Sequence, residues 1–229
     1  MILHLLVADS FTPVRRVKRI CLISAAGAAL WLAEMGGVIQ AGEPGQDLWV
    51  FGYGSLMWRP GFDYVERQLA WLRGYHRALC IYSHVHRGTP ERPGLVLGLD
   101  RGGSCRGAAF RVDAAKAEPT IAYLRGREQV TTVYVERRVR IRLDDGRDVE
   151  ALTYVVDRKH VQYAGKLLLD AIIEHVRNGV GQSGDNPAYV LNTHRHLAEL
   201  ALRDAVLARL VRALASEEQI SESDTTDVE

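Results

Sequence analysis

The amino-acid sequence predicts an α+β domain built on a small, mostly antiparallel, barrel-like sheet with flanking helices. Two observations lead to this fold class. From Leu48 to Val156 the chain reads mainly as strands separated by turns, with one inserted helix. From Tyr163 to Leu214 it reads as helices. Strands that precede helices, instead of alternating with them, are typical of the α+β class.

The composition is that of an ordinary globular protein. The chain has 229 residues, 47% of them hydrophobic and 25% charged, which is enough for one sizeable core. The net charge of +1 gives no indication of a nucleic acid or membrane partner. Cys21, Cys80 and Cys105 lie far apart without CxxC spacing, which argues against a disulfide framework and a zinc site. We expect a protein of the reducing cytoplasm and favour a monomer.

Residues 1–46 differ from the rest of the chain and form a predicted leader. Basic residues from Arg15 to Arg19 precede the apolar stretch Ile20–Ala33, an order that resembles the n-region and h-region of a signal peptide. The stretch is too short for a comfortable membrane span, and no clean cleavage site ends it. We therefore favour a mis-called start, with Met35 as the initiator, or a poorly ordered extension.

The segment Asp47–Trp58, with the sequence DLWVFGYGSLMW, organises the predicted domain. Leu48–Phe51 is a continuous apolar run typical of a buried strand. Gly52-Tyr53-Gly54-Ser55 interrupts that strand, and its two glycines allow a ligand to approach main-chain N–H groups closely. The pattern fits a backbone cradle for a small anion such as a carboxylate, or a tight turn between buried segments. The segment does not match a nucleotide-binding Walker loop, because no Gly-Lys-Ser/Thr follows the glycines.

The later strands are predicted from apolar runs and period-two alternation between turn residues. His84–Gly94 is predicted as a loop, because two prolines and two glycines cannot continue a sheet. In chain order the strands are Trp71–Tyr82 with a break at Gly74, the short strands Leu95–Leu99 and Ala108–Val112 on either side of a turn at Asp100–Gly103, Thr132–Leu143, and Asp148–Val156 after a hairpin turn at Asp144–Arg147.

Two helices are predicted from caps and apolar faces before the last helical stretch. Asp113 is expected to cap a short helical turn, and Pro119 to stand at the first position of a helix that runs to Glu128. Tyr163–Asn178 carries leucine, isoleucine and valine residues on one face, which predicts an amphipathic helix.

The C-terminal part of the domain is predicted as one long helix. Asn186 is expected to cap it, Pro187 to begin it, and Leu214 to lie near its end. Residues 216–229 are acidic and polar with almost no apolar content, so they are predicted to be a disordered tail. The folded domain is therefore expected to span residues 47–215.

Glu128 is the carboxylate of greatest interest. It lies at the predicted end of a helix, where the partial negative charge of the helix terminus should raise its pKa. An exposed surface position is the alternative interpretation.

Histidines, cysteines and serines give weaker signals. The His84/His86 and His194/His196 pairs have no Asp, Glu or Cys partner, so we do not expect a metal site. Cys80 and Cys105 are interpreted as core residues of strands. No GxSxG elbow surrounds any serine, which argues against a Ser-His-Asp hydrolase.

Several stretches in order carry a resemblance to a known family. They are Val50–Leu56 (VFGYGSL), Gly74-Tyr75-x-Arg77, His86-Arg87-Gly88 with Pro93-Gly94, Arg127-Glu128-Gln129 followed by Tyr134, Gln162–Lys166, and Gly181–Asn186 followed by Tyr189–Thr193. Taken together they resemble the ChaC family of γ-glutamylcyclotransferases, over about Leu48 to Leu214. The leader and the acidic tail match nothing in this pattern.

The resemblance implies a γ-glutamylcyclotransferase-like barrel and an enzyme that releases 5-oxoproline and cysteinylglycine from glutathione, without metal or cofactor. It implies that Glu128 is the catalytic base. It also implies that the γ-glutamyl end of the substrate is bound by the loop and its neighbours, namely Val50, Phe51, Gly52, Tyr53, Gly54, Ser55, Leu56 and Tyr134.

Two alternatives stay open on the same scaffold. The first is a cyclotransferase for other γ-glutamyl amines, although the loop His84–Gly94 favours glutathione. The second is a catalytically inactive binding domain, against which the presence of Glu128 argues.

Overall fold

A closed five-stranded barrel forms the centre of the computed structural model, which describes residues 45–128 and 132–223. Its strands are β1 (Leu48–Gly52), β2 (Glu66–Ser83), β3 (Gly94–Val112), β4 (Tyr134–Leu143) and β5 (Asp148–Val156), in the order β1-β3-β2-β4-β5. Only β1 and β5 pair in parallel. The predicted mostly antiparallel barrel is therefore confirmed.

Helices and one short ribbon complete the described part of the chain. They are α1 (Ala117–Glu128), α2 (Leu169–Asn178), β6 (Val180–Gly181), β7 (Gly184–Asp185), α3 (Asn186–Glu199) and α4 (Ala205–Ser223), with 3₁₀ turns at Ser55–Met57 and Ala114–Lys116. No helix among these residues is long and apolar enough to cross a membrane. The predictions for residues 1–44, 129–131 and 224–229 lie outside the described residues.

The barrel interior is one apolar cluster to which every strand contributes. Phe51 of β1, Leu72 of β2, Phe110 of β3, Ile141 of β4 and Leu152 of β5 are all buried in it. Burial of such side chains is the dominant stabilising contribution to a domain of this kind. The loop that follows β1 therefore starts from a rigidly packed strand.

The predicted turn at Asp100–Gly103 is wrong, because β3 continues through it and pairs with β2 along almost its whole length. The register shifts between Arg73 and Tyr75, and the glycines of this region, Gly74, Gly102 and Gly103, have φ values of 85°, 98° and 69°. Glycine adopts positive φ without steric cost, so these residues bend the paired strands without ending them.

The helix predicted from Tyr163 begins only at Leu169. Tyr163 forms an isolated β-bridge with Ile81 instead, and its hydroxyl donates to Asp100 Oδ2 at 2.8 Å. Leu168, predicted on the apolar face, is 82% exposed. The predicted helix starts too early because apolar periodicity alone does not distinguish a helix from an extended segment that packs on the edge of a sheet.

The single helix predicted from Asn186 to Leu214 is two helices. Residues 200–204 separate them, and Asp204 Oδ1 accepts from the N–H groups of Val206 and Leu207 at 3.1 Å each, which caps α4. α4 then continues to Ser223, into the segment predicted to be a disordered tail. Alanine, glutamate and glutamine favour helix, and extending an existing helix costs little.

The residue that caps α3 is Asp185, not Asn186, because Asp185 Oδ1 accepts from Ala188 N at 2.6 Å. The side chain of Asn186 is fully buried instead. It accepts from Leu95 N at 2.6 Å and donates to Leu95 O at 2.8 Å. Asn186 thus joins the start of α3 to the first residues of β3.

Asn186→Ala is expected to lower the free energy of unfolding by about 2–5 kcal/mol, because it leaves both buried polar groups of Leu95 without a partner. Urea denaturation measures this loss. Asn178→Ala, at an exposed position near the end of α2, is the matched control and should change stability by less than about 0.5 kcal/mol. Equal losses in the two variants would contradict the bridging role of Asn186.

Candidate active site

The loop after β1 turns sharply back towards the core. Met57 N donates to Gly54 O at 2.9 Å and Arg59 N donates to Ser55 O at 2.8 Å, which closes the 3₁₀ turn. Leu56 and Met57 are buried, whereas Ser55 is exposed. The first N–H groups of a helical turn have no partner within the turn, so this loop presents backbone donors.

The two glycines of the loop have different surroundings. A Cβ added to Gly52 would lie 2.9 Å from Leu56 Cβ and 3.4 Å from Met57 N, so the tight turn itself requires glycine there. Within the part of the chain that the structure describes, a Cβ added to Gly54 would contact only Leu97 Cδ1, at 3.8 Å. The tight-turn interpretation therefore applies to Gly52, while Gly54 faces open space.

That open space is a cavity of about 60 Å³, which we call the chamber. Its walls come from the loop Gly52–Leu56 at the end of β1, which we call the glycine loop, and from the end of α1, strands β3, β4 and β5, and helix α3. The lining residues are Tyr53, Gly54, Ser55, Leu56, Leu97, Glu128, Tyr134, Tyr154 and Tyr189. The chamber thus brings Glu128, Tyr134 and four of the seven predicted loop residues together. Val50, Phe51 and Gly52 belong to β1 and do not line it.

Glu128 is not on the exposed surface, because its side chain is only 17% exposed. The pKa of its carboxyl group is raised, as predicted, and the main cause is burial in the protein interior. Arg127 acts in the opposite direction, with Arg127 Nε 3.2 Å from Glu128 Oε1. The carboxyl group therefore combines a raised pKa with access to a small cavity.

Arg127 connects the end of α1 to the glycine loop. Its Nη2 donates to Ser55 Oγ at 3.0 Å and its Nη1 donates to Arg59 O at 2.6 Å. A guanidinium group has five N–H donors in a fixed plane, so it can hold the loop and contact Glu128 at once. This contact sets the position of Ser55 relative to Glu128.

Two half-buried tyrosines are held by the backbone of Leu97. Tyr134 Oη donates to Leu97 O at 2.7 Å, and Leu97 N donates to Tyr189 Oη at 3.1 Å. Burial is the main cause that raises the pKa of both hydroxyl groups, so they stay protonated near neutral pH. Tyr134 is a residue that the resemblance implies, whereas Tyr189 lies in a quoted motif without a role.

Tyr154 is a lining residue that the sequence interpretation missed. Its hydroxyl donates to Glu136 Oε2 at 3.3 Å, and Arg125 donates to both oxygens of Glu136 at 2.8 Å. Glu136 is buried, so the two-fold contact with Arg125 satisfies a charge that would otherwise be costly. In the sequence Tyr154 is one aromatic residue in a buried strand, and only tertiary structure turns it towards the chamber.

The chamber adjoins a groove of about 450 Å³ and shares Ser55, Tyr134 and Tyr189 with it. The groove runs between the loop after β2, the loop after β1, and α3. A volume of this size is typical of a small-molecule site. A larger groove of about 1040 Å³ lies where β2 and β4 separate, but it contains none of the predicted site residues.

The histidines have separate structural surroundings. His84 stacks on Tyr82 at 6.4 Å between ring centroids, and His196 stacks on Trp58 at 4.6 Å. His86 lies with Nδ1 3.0 Å from Ser183 Oγ. These three line the groove and His194 does not.

Cys80 and Cys105 are buried thiols in β2 and β3, as predicted. Burial raises the pKa of Cys80 to about 12.

The sequence matches a family model described as ChaC-like protein over residues 48–217. A glutathione-specific γ-glutamylcyclotransferase of Escherichia coli is 34% identical over 157 residues, which cover 69% of this chain and 68% of the relative. The human glutathione-specific γ-glutamylcyclotransferase 1 is 34% identical over 181 residues, 76% of this chain and 81% of the relative.

The fold is also similar to that of a solved structure. A γ-glutamyl cyclotransferase specific to glutathione from yeast superposes with a TM-score of 0.67 at 21% sequence identity, over 74% of this chain and 96% of the yeast chain. At this identity the similarity supports the fold.

Proposed function

The chain belongs to the ChaC-like protein family, and from that premise we propose that it is a γ-glutamylcyclotransferase that cleaves glutathione to 5-oxoproline and cysteinylglycine. The observation that carries the proposal is the chamber, which Gly54 and the largely buried Glu128 line together. We take the α-amine of the γ-glutamyl group as the nucleophile, since its attack on the γ-carbonyl closes a five-membered lactam.

Nucleophile and electrophile belong to one molecule in this reaction. The enzyme's main task is to hold the substrate in the bent conformer, and well-oriented intramolecular reactions reach effective molarities of about 10⁵–10⁸ M. A chamber of about 60 Å³ walled by four tyrosine residues and Leu56 suits a compact, folded γ-glutamyl group better than an extended one. Cyclisation needs that compact geometry.

Glu128 is the proposed general base and acid. A free α-amine has a pKa of about 8, so near neutral pH it is mostly protonated and must lose a proton before it can attack. A carboxylate whose pKa is raised by burial accepts that proton more readily than an exposed one, and can then deliver it to the departing amine of cysteinylglycine. One residue thus serves both proton transfers.

The glycine loop is the proposed site for the α-carboxylate of the γ-glutamyl group. The N–H groups at the start of the 3₁₀ turn at Ser55 and Leu56 point out of the turn, and Gly54 lets a ligand approach them. Charge-assisted contacts of this kind are about 2.7–2.9 Å long. Arg127 contributes by holding Ser55 in place.

One assay tests the function and separates the alternatives. Purified protein is incubated with glutathione and, in parallel, with γ-glutamyl amino acids, and 5-oxoproline is measured. Release from glutathione alone supports the glutathione-specific enzyme. Release mainly from γ-glutamyl amino acids would support the broader cyclotransferase, and no release from either would support an inactive binding domain.

The buried thiols Cys80 and Cys105 support a reducing, cytoplasmic compartment. The expected monomer stays a prediction that light scattering of the purified protein can check.

Arg127→Met is expected to move the acidic limb of the pH profile of kcat/KM to higher pH. Arg127 lowers the pKa of Glu128, so its removal raises that pKa further, and the base form is then lost at a higher pH as the solution is acidified. Arg137→Met, at an exposed position on β4, is the control and should leave the limb unchanged. A limb that stays in place or moves to lower pH in Arg127→Met would contradict the assignment.

A further inference from the structure

The groove beside the chamber is cationic. Its lining contains three arginines and three histidines, and none of the described lining residues is an aspartate or a glutamate. The lining residues with positive or titratable side chains are Arg59, Arg87, Arg195, His84, His86 and His196. Such a lining favours an anionic ligand group in the groove.

The three arginines differ in the contacts that they make within the protein. Arg87 Nη1 donates to Asp185 O at 3.1 Å, and its guanidinium lies 5.3 Å from the ring centroid of Tyr189, so it is partly committed to the fold. Arg195 is exposed and donates to Asn192 Oδ1 at 2.6 Å, which uses one of its five N–H groups. Arg59 is exposed at the end of the glycine loop, with its carbonyl oxygen held by Arg127.

The length of the leaving group limits how far from the chamber its carboxylate can reach. An extended chain spans at most about 3.3–3.6 Å per residue, so a two-residue leaving group places its C-terminal carboxylate about 7 Å beyond the scissile carbonyl. A leaving group of one residue reaches only half as far. Because chamber and groove share Ser55, Tyr134 and Tyr189, the longer leaving group must pass these residues and enter the groove.

We propose that Arg59 and Arg195 form a subsite for the C-terminal carboxylate of the leaving peptide. This subsite favours γ-glutamyl substrates whose leaving group is a dipeptide over those whose leaving group is a single amino acid. The proposal rests on the proposed cyclotransferase function. Arginine suits this role because its planar guanidinium matches a carboxylate and stays charged at all relevant pH values.

The contact involves a part of the substrate that does not react. It is therefore present equally in the ground state and in the transition state, so its loss should raise KM and leave kcat nearly unchanged. Exposed charge pairs contribute modestly, and two-point arginine contacts contribute more. We expect KM for glutathione to rise about 3- to 10-fold in each single variant and about 10- to 100-fold in the double variant.

The experiment compares variants and substrates in one cycle. Arg59→Ala, Arg195→Ala, the double variant and the wild type are assayed with glutathione and with its C-terminal amide, by release of 5-oxoproline. Arg209→Ala, on the exposed face of α4, is the matched control. Melting temperatures of all variants report whether the fold is intact.

In the wild type we expect a higher KM for the amide than for glutathione. In the double variant we expect a higher KM for glutathione than in the wild type, and the same KM for the amide as in the wild type. Equal rises for both substrates, or no rise for either, would overturn the subsite while leaving the cyclotransferase function intact. A wild type that releases no 5-oxoproline from either substrate would instead overturn the proposed function itself.

Discussion

Replacing Glu128 by glutamine is expected to lower kcat by about 10²–10⁴-fold, the usual contribution of general acid–base catalysis. The amide has nearly the shape of the carboxyl group but cannot accept the proton of the α-ammonium group. No other carboxylate lines the chamber among the described residues. Turnover of glutathione, followed by 5-oxoproline release, measures the loss.

The stability of Glu128→Gln should be no lower than that of the wild type. Burial raises the pKa of Glu128 in the folded state above its unfolded value, so its stabilising contribution is complete at low pH and is lost as the pH rises through the folded pKa. The glutamine variant has no such ionisation. Its melting temperature near pH 8 should therefore equal or exceed that of the wild type.

The matched control is Glu118→Gln, at an exposed position in the first turn of α1. It changes the same chemical group on the same helix, and it should keep full activity. If Glu128→Gln retains more than a tenth of wild-type turnover with normal substrate binding, Glu128 is not the base.

Gly54→Val should reduce kcat/KM by about 10²-fold or more, the scale expected when a ligand is displaced by about 1 Å. A side chain at this position enters the chamber, which Gly54 lines, and among the described residues an added Cβ would contact only Leu97 Cδ1, at 3.8 Å. The fold should tolerate the change for the same reason. Glutathione affinity by calorimetry and the melting temperature, measured on one sample, separate the two effects.

Gly52→Ala provides the contrasting case two residues earlier. Its added methyl group would lie 2.9 Å from Leu56 Cβ, so the loop or the side chain must shift, at a cost of about 1–3 kcal/mol. We expect a lower melting temperature for Gly52→Ala than for Gly54→Val. Normal glutathione affinity in a destabilised Gly54→Val variant would contradict the proposal that the glycine loop binds the α-carboxylate.

Elements with short-range causes could be predicted closely from the sequence. The hairpin from β4 to β5 follows from the alternating residues of β4 and the Asp-Asp-Gly-Arg turn after it, from which Asp148–Val156 returns. Asp113 caps the helical turn at Ala114–Lys116, with Oδ1 accepting from Ala115 N at 2.9 Å, as predicted. In both cases the interacting residues are neighbours in the chain.

Elements that depend on contacts with residues far away in the chain could be predicted less closely. Asn186 and Asp185 are both good capping residues, and the choice between them depends on Leu95, which is 91 residues away from Asn186. The glycines from Asp100 to Gly103 suggest a turn until the partner strand is known, and pairing with β2 makes them a bend instead. Neither partner is visible in the local sequence.

By itself the sequence determined the fold class, the strand that leads into the glycine loop, and the identity of Glu128 as the residue of interest, because each depends on local patterns or on motifs in order. Tertiary structure alone decided that the largely buried Glu128 and Gly54 line one chamber, and that Gly52 and Gly54 have different roles. It also decided that Tyr154, Tyr189 and the arginines of the groove surround the site. The physical reason is that burial, and with it a raised pKa, arises from contacts between distant segments, and closing the barrel brings those segments together.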